Sequence, residues 1–208
     1  MSTRTYRSAA RAEAAGQTRA RILAAATELL REAGVAGFSL ESVGKAAGVT
    51  RLTVYNQFGS RRALLEAVFD ELAARGGLHR IRDAMADDDP HAGLRRLVGI
   101  FCDFWGADLD SLAGLHGAAS GDAEFAESLG ARNERRRGTF AALVERLVER
   151  GEVRARDARD LVDLLFVLTS LQVFTQLKVG KRSKVSVRRL IEAAAVDAVR
   201  RAGPAGVP

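Results

Sequence analysis

The 208 residues include one cysteine, three histidines and three prolines. A lone Cys102 closes no disulfide within the chain, and the histidines form no cluster at metal-ligand spacing. No metal and no cofactor are therefore expected. The prolines stand at 90, 204 and 208, so two long tracts lack the strongest helix breaker, and Ala, Leu, Arg and Glu dominate them. An all-α protein follows. The only hint of strand alternation, Val185-Ser186-Val187, runs straight into a helical pattern, and no sheet is assigned. The longest uncharged stretch, residues 164–177, is too short and too polar to span a bilayer, and no charged-then-apolar leader opens the chain. This reading expects a cytoplasmic protein with no membrane contact. No GxSxG, P-loop, HExxH or dinucleotide fingerprint occurs, so enzyme function lacks a visible nucleophile, acid-base pair or cofactor loop.

What the chain does have is a net charge of +6 placed at one end. Residues 1–65 hold ten Lys or Arg against four Asp or Glu, while residues 66–208 hold 22 of each. Arginine is abundant throughout, 28 against 4 lysines, but abundance does not explain segregation. The basic segment is a candidate polyanion-binding module. With 47% hydrophobic residues, the remainder suffices for a core, either as one domain or as a small one joined to a larger one.

Apolar periodicity predicts a first helix over about 18–33, with Ile22, Ala26, Leu29, Leu30 and Ala33 on one face and Gly34 as its stop. Residues 1–15 precede it as a basic arm whose Arg4, Arg7 and Arg11 are candidates for a minor groove or simply a solvated run. Ser39 is placed to cap a short second helix, where Leu40, Val43 and Ala47 face inward. Gly48 ends that helix, and Thr50 caps a third that runs to Phe58 and stops at Gly59. A fourth helix runs from Ser60 to about Arg75 and links the two parts. Further helices are expected near 91–105, 108–116, 122–150, 156–179 and 184–201.

A helix, a glycine turn and a second helix in a basic segment form the arrangement that lays the second helix into the DNA major groove. The third helix carries Arg51, Thr53, Tyr55, Asn56 and Gln57, all able to reach bases or phosphates, while Val54 and Phe58 can anchor it. The run Phe38-Ser39-Leu40, then Ala46-Ala47-Gly48-Val49-Thr50, then Thr53 through Arg61, resembles the DNA-binding signature of the tetracycline-repressor family. The resemblance covers about residues 21–65. It implies a three-helix DNA-binding domain over 1–65 and a larger helical ligand-binding and dimerisation domain over 66–208. It also implies phosphate contacts from Ser39, Thr50, Tyr55, Gln57 and Arg61, and base contacts from Arg51, Leu52, Thr53 and Asn56. Departures from the usual pattern are Leu52 where glycine is frequent, Gln57 where histidine is frequent and Arg62 where an acidic residue is frequent; they bear on operator choice. Leu52 offers a thymine-methyl contact, but packing against the first helix is the plainer reading.

In the larger part, the 156–179 segment is apolar over an arc wide enough for burial on more than one side, and the 184–201 segment has a single stripe. The resemblance pairs these as a homodimer interface, with Leu165, Leu168, Val187, Leu190, Ile191 and Ala194 as its residues; one intramolecular core is the alternative. Aromatic residues Phe101, Trp105, Phe140 and Phe166 fall where the family builds its inducer cavity, with His116, Thr169 and Gln172 as polar groups beside them. Helical spacing places Asn133 and Arg136 on or beside the apolar face of the 122–150 helix. They suggest an acidic ligand, or equally an internal salt bridge from Arg136 to Asp103 or Asp163. The reading as a whole is a regulator that binds double-stranded operator DNA, most simply a repressor released by a small molecule. The competing reading is a small all-α enzyme or ligand-binding protein whose helix-turn-helix serves protein contact.

Overall fold

The computed structural model describes residues 3–204, with side chains described from residue 12 onward. Among these residues there are only helices and turns, as composition required. No single helix among them is long and apolar enough to cross a membrane. The chain divides into two compact units, residues 1–71 with 110–128, and residues 72–109 with 129–208. This differs from a boundary at residue 65, because the 110–128 segment returns to the N-terminal helices.

In the first unit, α1 runs Thr3–Ala33, so the segment expected as an arm is helical from residue 3. Its alanines and the absence of proline explain the extension. The side chains of Arg4, Arg7 and Arg11 lie outside the described residues. Helix α2 (Leu40–Ala46) starts at Ser39, whose hydroxyl accepts the Ser42 N–H, while the Ser42 hydroxyl takes the Ser39 N–H in return. The chain then turns at Gly48 with φ of 66°, a conformation that costs glycine little. Helix α3 (Arg51–Phe58) is capped by Thr50, and α4 (Arg61–Arg75) follows Gly59. Ile22, Ala26, Leu30, Val43 and Val54 are fully or almost fully buried, as is Leu64, while Leu29, Leu40 and Ala47 are only partly buried and Ala33, at the end of its helix, is exposed.

Helix α7 (Leu109–Ala119), after its first residue, belongs to this unit. It lies so close to α1 that a Cβ on Gly114 would stand 2.5 Å from the Leu30 carbonyl oxygen, and only a residue without one fits. The buried Ser111 hydroxyl donates to the Thr27 carbonyl at 3.4 Å. The first turns of α8 (Ala123–Glu149) complete the unit before the helix continues, unbroken, into the second.

The second unit is built around α6 (Pro90–Ala107), which Asp89 caps through the His91 N–H, with Pro90 at the first helical position. Between Gly77 and α6 the chain forms a 3-10 turn and α5 (Ile81–Met85), both too short to leave a periodic signal in the sequence. Helix α11 (Lys184–Ala202) packs on α6 and on α9 (Ala158–Leu168).

The helix expected over 156–179 is in fact two. Ser170 caps a new helix, α10 (Leu171–Leu177), by accepting the Val173 N–H, and the Thr169 hydroxyl donates back to the Leu165 carbonyl. Both side chains offer the backbone an alternative to helix continuation. The break exposes backbone carbonyls at the end of α9, and what binds them defines the middle of this unit.

Candidate nucleic-acid interface and ligand cluster

Helix α3 presents two faces. Val54 and Phe58 are buried, Arg51, Leu52, Tyr55 and Asn56 are exposed, and Thr53 and Gln57 lie between. Leu52 is 66% exposed, which overturns its reading as packing against the first helix. Tyr55 is 54% exposed. The Thr50 hydroxyl accepts the Thr53 N–H at 3.1 Å and lies 2.9 Å from the Thr53 hydroxyl, so both threonines steady the start of the helix.

Three arginines hold this surface in place, and sequence reasoning assigned no role to one of them, Arg19. Arg19 donates to the Gln57 carbonyl at 2.9 Å and stacks 4.2 Å over the Phe58 ring. A cation thus sits on the C-terminal carbonyls of α3, where the helix dipole favours it. Arg61, a candidate phosphate contact, is engaged within its own unit: Nη1 donates to Asp122 Oδ2 at 2.9 Å and Nε to the Phe38 carbonyl at 3.3 Å. Arg62, the departure from the usual acidic residue, pairs with Glu124 at 3.1 Å. No sequence pattern links Asp122 or Glu124 to these arginines, because the pairs span about sixty residues.

Seven of the nine candidate ligand residues form one connected cluster in the second unit. Phe101 and Phe140 have ring centroids 5.8 Å apart. The Arg136 guanidinium lies 5.7 Å from the Phe101 ring and 4.0 Å from the Phe166 ring. Its Nη1 donates to the Phe166 carbonyl at 2.8 Å and to the Thr169 hydroxyl at 3.0 Å, and its Nη2 faces Asn133 Oδ1 at 3.5 Å. Trp105 Nε1 donates to the Thr169 carbonyl at 2.8 Å. Trp105 and Arg136 therefore satisfy the carbonyls freed by the break after α9.

Arg136 is 7% exposed, and burial, reinforced by the neighbouring Arg137 charge, brings its pKa down to about 10. The salt bridge considered from sequence does not form: Asp103 pairs with Arg80 and Arg188, and Asp163 with Arg137. The other two candidates lie elsewhere. His116 belongs to the first unit, with Nδ1 2.9 Å from the Leu112 carbonyl, and Gln172 is exposed on α10. A separate groove of about 320 Å³ beside α6 and α11, lined by Leu94, Val98, Ala195 and Val199, touches none of the nine.

The six candidate interface residues also separate. Leu165, Val187 and Ile191 are buried inside the protomer, where α9 packs on α11, and Leu168 and Ala194 are partly buried. Only Leu190 is exposed, at 46%; Leu164 and Val167, at 52% for the latter, are exposed apolar residues of α9 that the sequence reading left out. Its apolar stripe is the one that closes the protomer core, and the outward face lies one residue away.

Comparison with known proteins places these features in context. Residues 22–68 match a family model described as bacterial regulatory proteins, tetR family, and residues 86–194 match one described as the tetracyclin repressor-like C-terminal domain. The HTH-type transcriptional regulator EthR of Mycolicibacterium smegmatis is 30% identical over 177 residues, covering 84% of this chain and 79% of that protein. Two solved structures share the fold. A TetR transcription regulator from Haloarcula marismortui aligns at TM-score 0.71 with 18% identity, over 90% of this chain and 98% of its own. The regulator PfmR from Thermus thermophilus aligns at TM-score 0.69 with 19% identity, over 86% and 97% respectively.

Proposed function

Because the chain belongs to the tetracycline-repressor family of bacterial transcription regulators, we propose that this DNA-binding regulator works as a homodimer released from its operator by a small molecule. The observation that supports the DNA role most directly is the outward row Arg51, Leu52, Tyr55 and Asn56 on α3, held from behind by Val54 and Phe58. Arg51 and Asn56 have the donors to read base edges, Leu52 the apolar surface for a thymine methyl, and Tyr55 a hydroxyl for phosphate. Ser39, Thr50 and Gln57 flank this row, and Arg61 joins it on leaving Asp122.

A two-fold dimer places two copies of α3 on half-sites about 34 Å apart or a multiple of that. Its interface is the exposed face of α9 and α11 with Leu164, Val167 and Leu190, backed by Leu168 and Ala194. The ligand site is the cluster of Phe101, Trp105, Phe140, Phe166 and Thr169 around Asn133 and Arg136. A ligand there releases DNA only as far as it binds the DNA-incompetent arrangement more tightly. The work is binding rather than catalysis, performed in the cytoplasm where the operator is.

Selection of DNA from a random pool by the purified full-length chain tests the proposal. Enrichment of a palindrome, bound with an affinity that falls steeply as salt rises, is the expected result. Failure to enrich any sequence, with no salt dependence, overturns it in favour of a helix-turn-helix that contacts protein.

A further inference from the structure

Arg136 has more hydrogen-bonding capacity than its surroundings use. Its Nη1 is committed to the end of α9, through the Phe166 carbonyl and the Thr169 hydroxyl. Its Nη2 has only the 3.5 Å contact to Asn133, and its Nε, sealed from water, has no hydrogen-bond partner. Nε and Nη2 form one edge of the guanidinium, the edge whose two parallel N–H bonds match a carboxylate.

The charge is equally unanswered. Among the described residues no carboxylate pairs with Arg136; Asp103 is held by Arg80 and Arg188, and Asp163 and Glu134 by Arg137. A buried cation without a counter-charge is costly, and capping α9 requires only the Nη1 corner. The rings of Phe101 and Phe166 flank the guanidinium, and the neighbouring Arg137, stacked 4.2 Å over the same Phe166 ring, spends its charge on Asp163 and Glu134. That suits a single negative charge on an apolar body and disfavours a phosphate, which calls for several donors or charges. Phe166 is partly exposed and stacked 4.0 Å from the guanidinium.

We infer that the Nε and Nη2 edge of Arg136 is the docking point for the carboxylate of an apolar organic acid, and that such an acid is the effector. The inference rests on the reading that the second unit takes a ligand. Asn133 Oδ1 then orients the guanidinium, and Trp105 reports occupancy, because Thr169 binds both Trp105 and Arg136.

The test uses the full chain with sodium decanoate and sodium phenylacetate, each against its neutral match, 1-decanol and phenylacetamide. Fluorescence of Trp105, the only tryptophan, and melting temperature are the readouts. Saturable binding of at least one acid is expected, roughly ten- to a hundredfold tighter than its neutral match, with the same factor lost in Arg136→Met and part of it kept in Arg136→Lys. Neither acid binding, neutral matches binding as tightly, or undiminished acid binding by Arg136→Met overturns the inference. If Arg136→Met does not fold, the ratio of acid to neutral match in the unaltered chain decides alone. An operator titration with the bound acid separates the two readings: an acid that needs Arg136 yet leaves operator affinity unchanged supports the docking site and removes release by that ligand. Absence of operator binding removes the DNA role and leaves the site standing.

Discussion

Arg61 and Asp122 stand 2.9 Å apart, joining the first residue of α4 to the residue that opens α8. The other oxygen of Asp122 accepts the Phe125 N–H, so one carboxylate both caps a helix and holds an arginine suited to DNA phosphate. If Arg61 contacts DNA phosphate as proposed, Asp122 competes with that phosphate for the guanidinium. Asp122→Asn keeps the cap and removes the competitor; operator affinity should rise about 2- to 5-fold, the range of a partly exposed ion pair. Asp122→Ala should give the same gain with about 1 kcal/mol less stability. Operator titration and thermal melting on both variants check this, and an unchanged affinity in Asp122→Asn would mean that Arg61 takes no part in DNA binding.

On the recognition helix, Tyr55→Phe should weaken binding to every operator sequence alike, by about 1 kcal/mol, because a phosphate hydrogen bond carries no base information. Leu52→Ser should behave differently. With its side chain 66% exposed, the change should leave melting unaltered and relax preference at a single base step. Binding-site selection with the two variants distinguishes these patterns; a sequence-restricted loss for Tyr55→Phe contradicts the assignment.

Adjacent residues on α11 should fail in different ways. Leu190 is exposed, so Leu190→Glu should give a folded monomer, whereas Ile191 is buried and Ile191→Glu should unfold the chain by burying an unpaired charge. Light scattering and circular dichroism separate the two results. A folded dimer in Leu190→Glu would exclude this face as the interface.

Burial pushes the Cys102 thiol up to about 12, with the nearby Glu192 carboxylate acting in the same direction. The native chain should therefore resist a thiol reagent at pH 8 and release one equivalent only when unfolded. The sign for stability follows from the raised value. In the unfolded chain the thiol ionises near its ordinary 9.0, so its contribution is fully present below that pH and lost as pH rises toward 12. Relative to Cys102→Ala, the unaltered chain should lose melting temperature above pH 9.0.

What the sequence made legible was local. Ser39 and Thr50 cap, and Gly48 and Gly59 turn, within a few residues of the groups they serve, so α2 and α3 could be placed from composition alone. The polar face of α3 followed from helical spacing in the same way, and so did Asn133 and Arg136 beside the apolar face of α8. Contacts across long stretches of chain left no such trace. The return of residues 110–128 to α1, the grip of Arg19 on Gln57 and the pairing of Arg61 with Asp122 depend on tertiary placement, which periodicity does not encode. The break at Thr169 and Ser170 was signalled by two hydroxyl residues in an apolar run, but only their hydrogen bonds show that α9 stops there. The inward and outward sides of α9 and α11 were confused because both are apolar, and only burial tells Leu165 from Leu164.

The interleaving of the two units also sets an order for the ribosome. The segment bearing α3 is translated early, yet the unit it belongs to includes Leu112, Leu115 and Phe125, all buried, and the close seat of Gly114 on Leu30. At about 5 to 20 residues per second, several seconds of synthesis separate residue 71 from residue 128. Through that interval the nascent recognition helix lacks part of its support, so the competent DNA reader comes into being only after more than half of the polypeptide has been made.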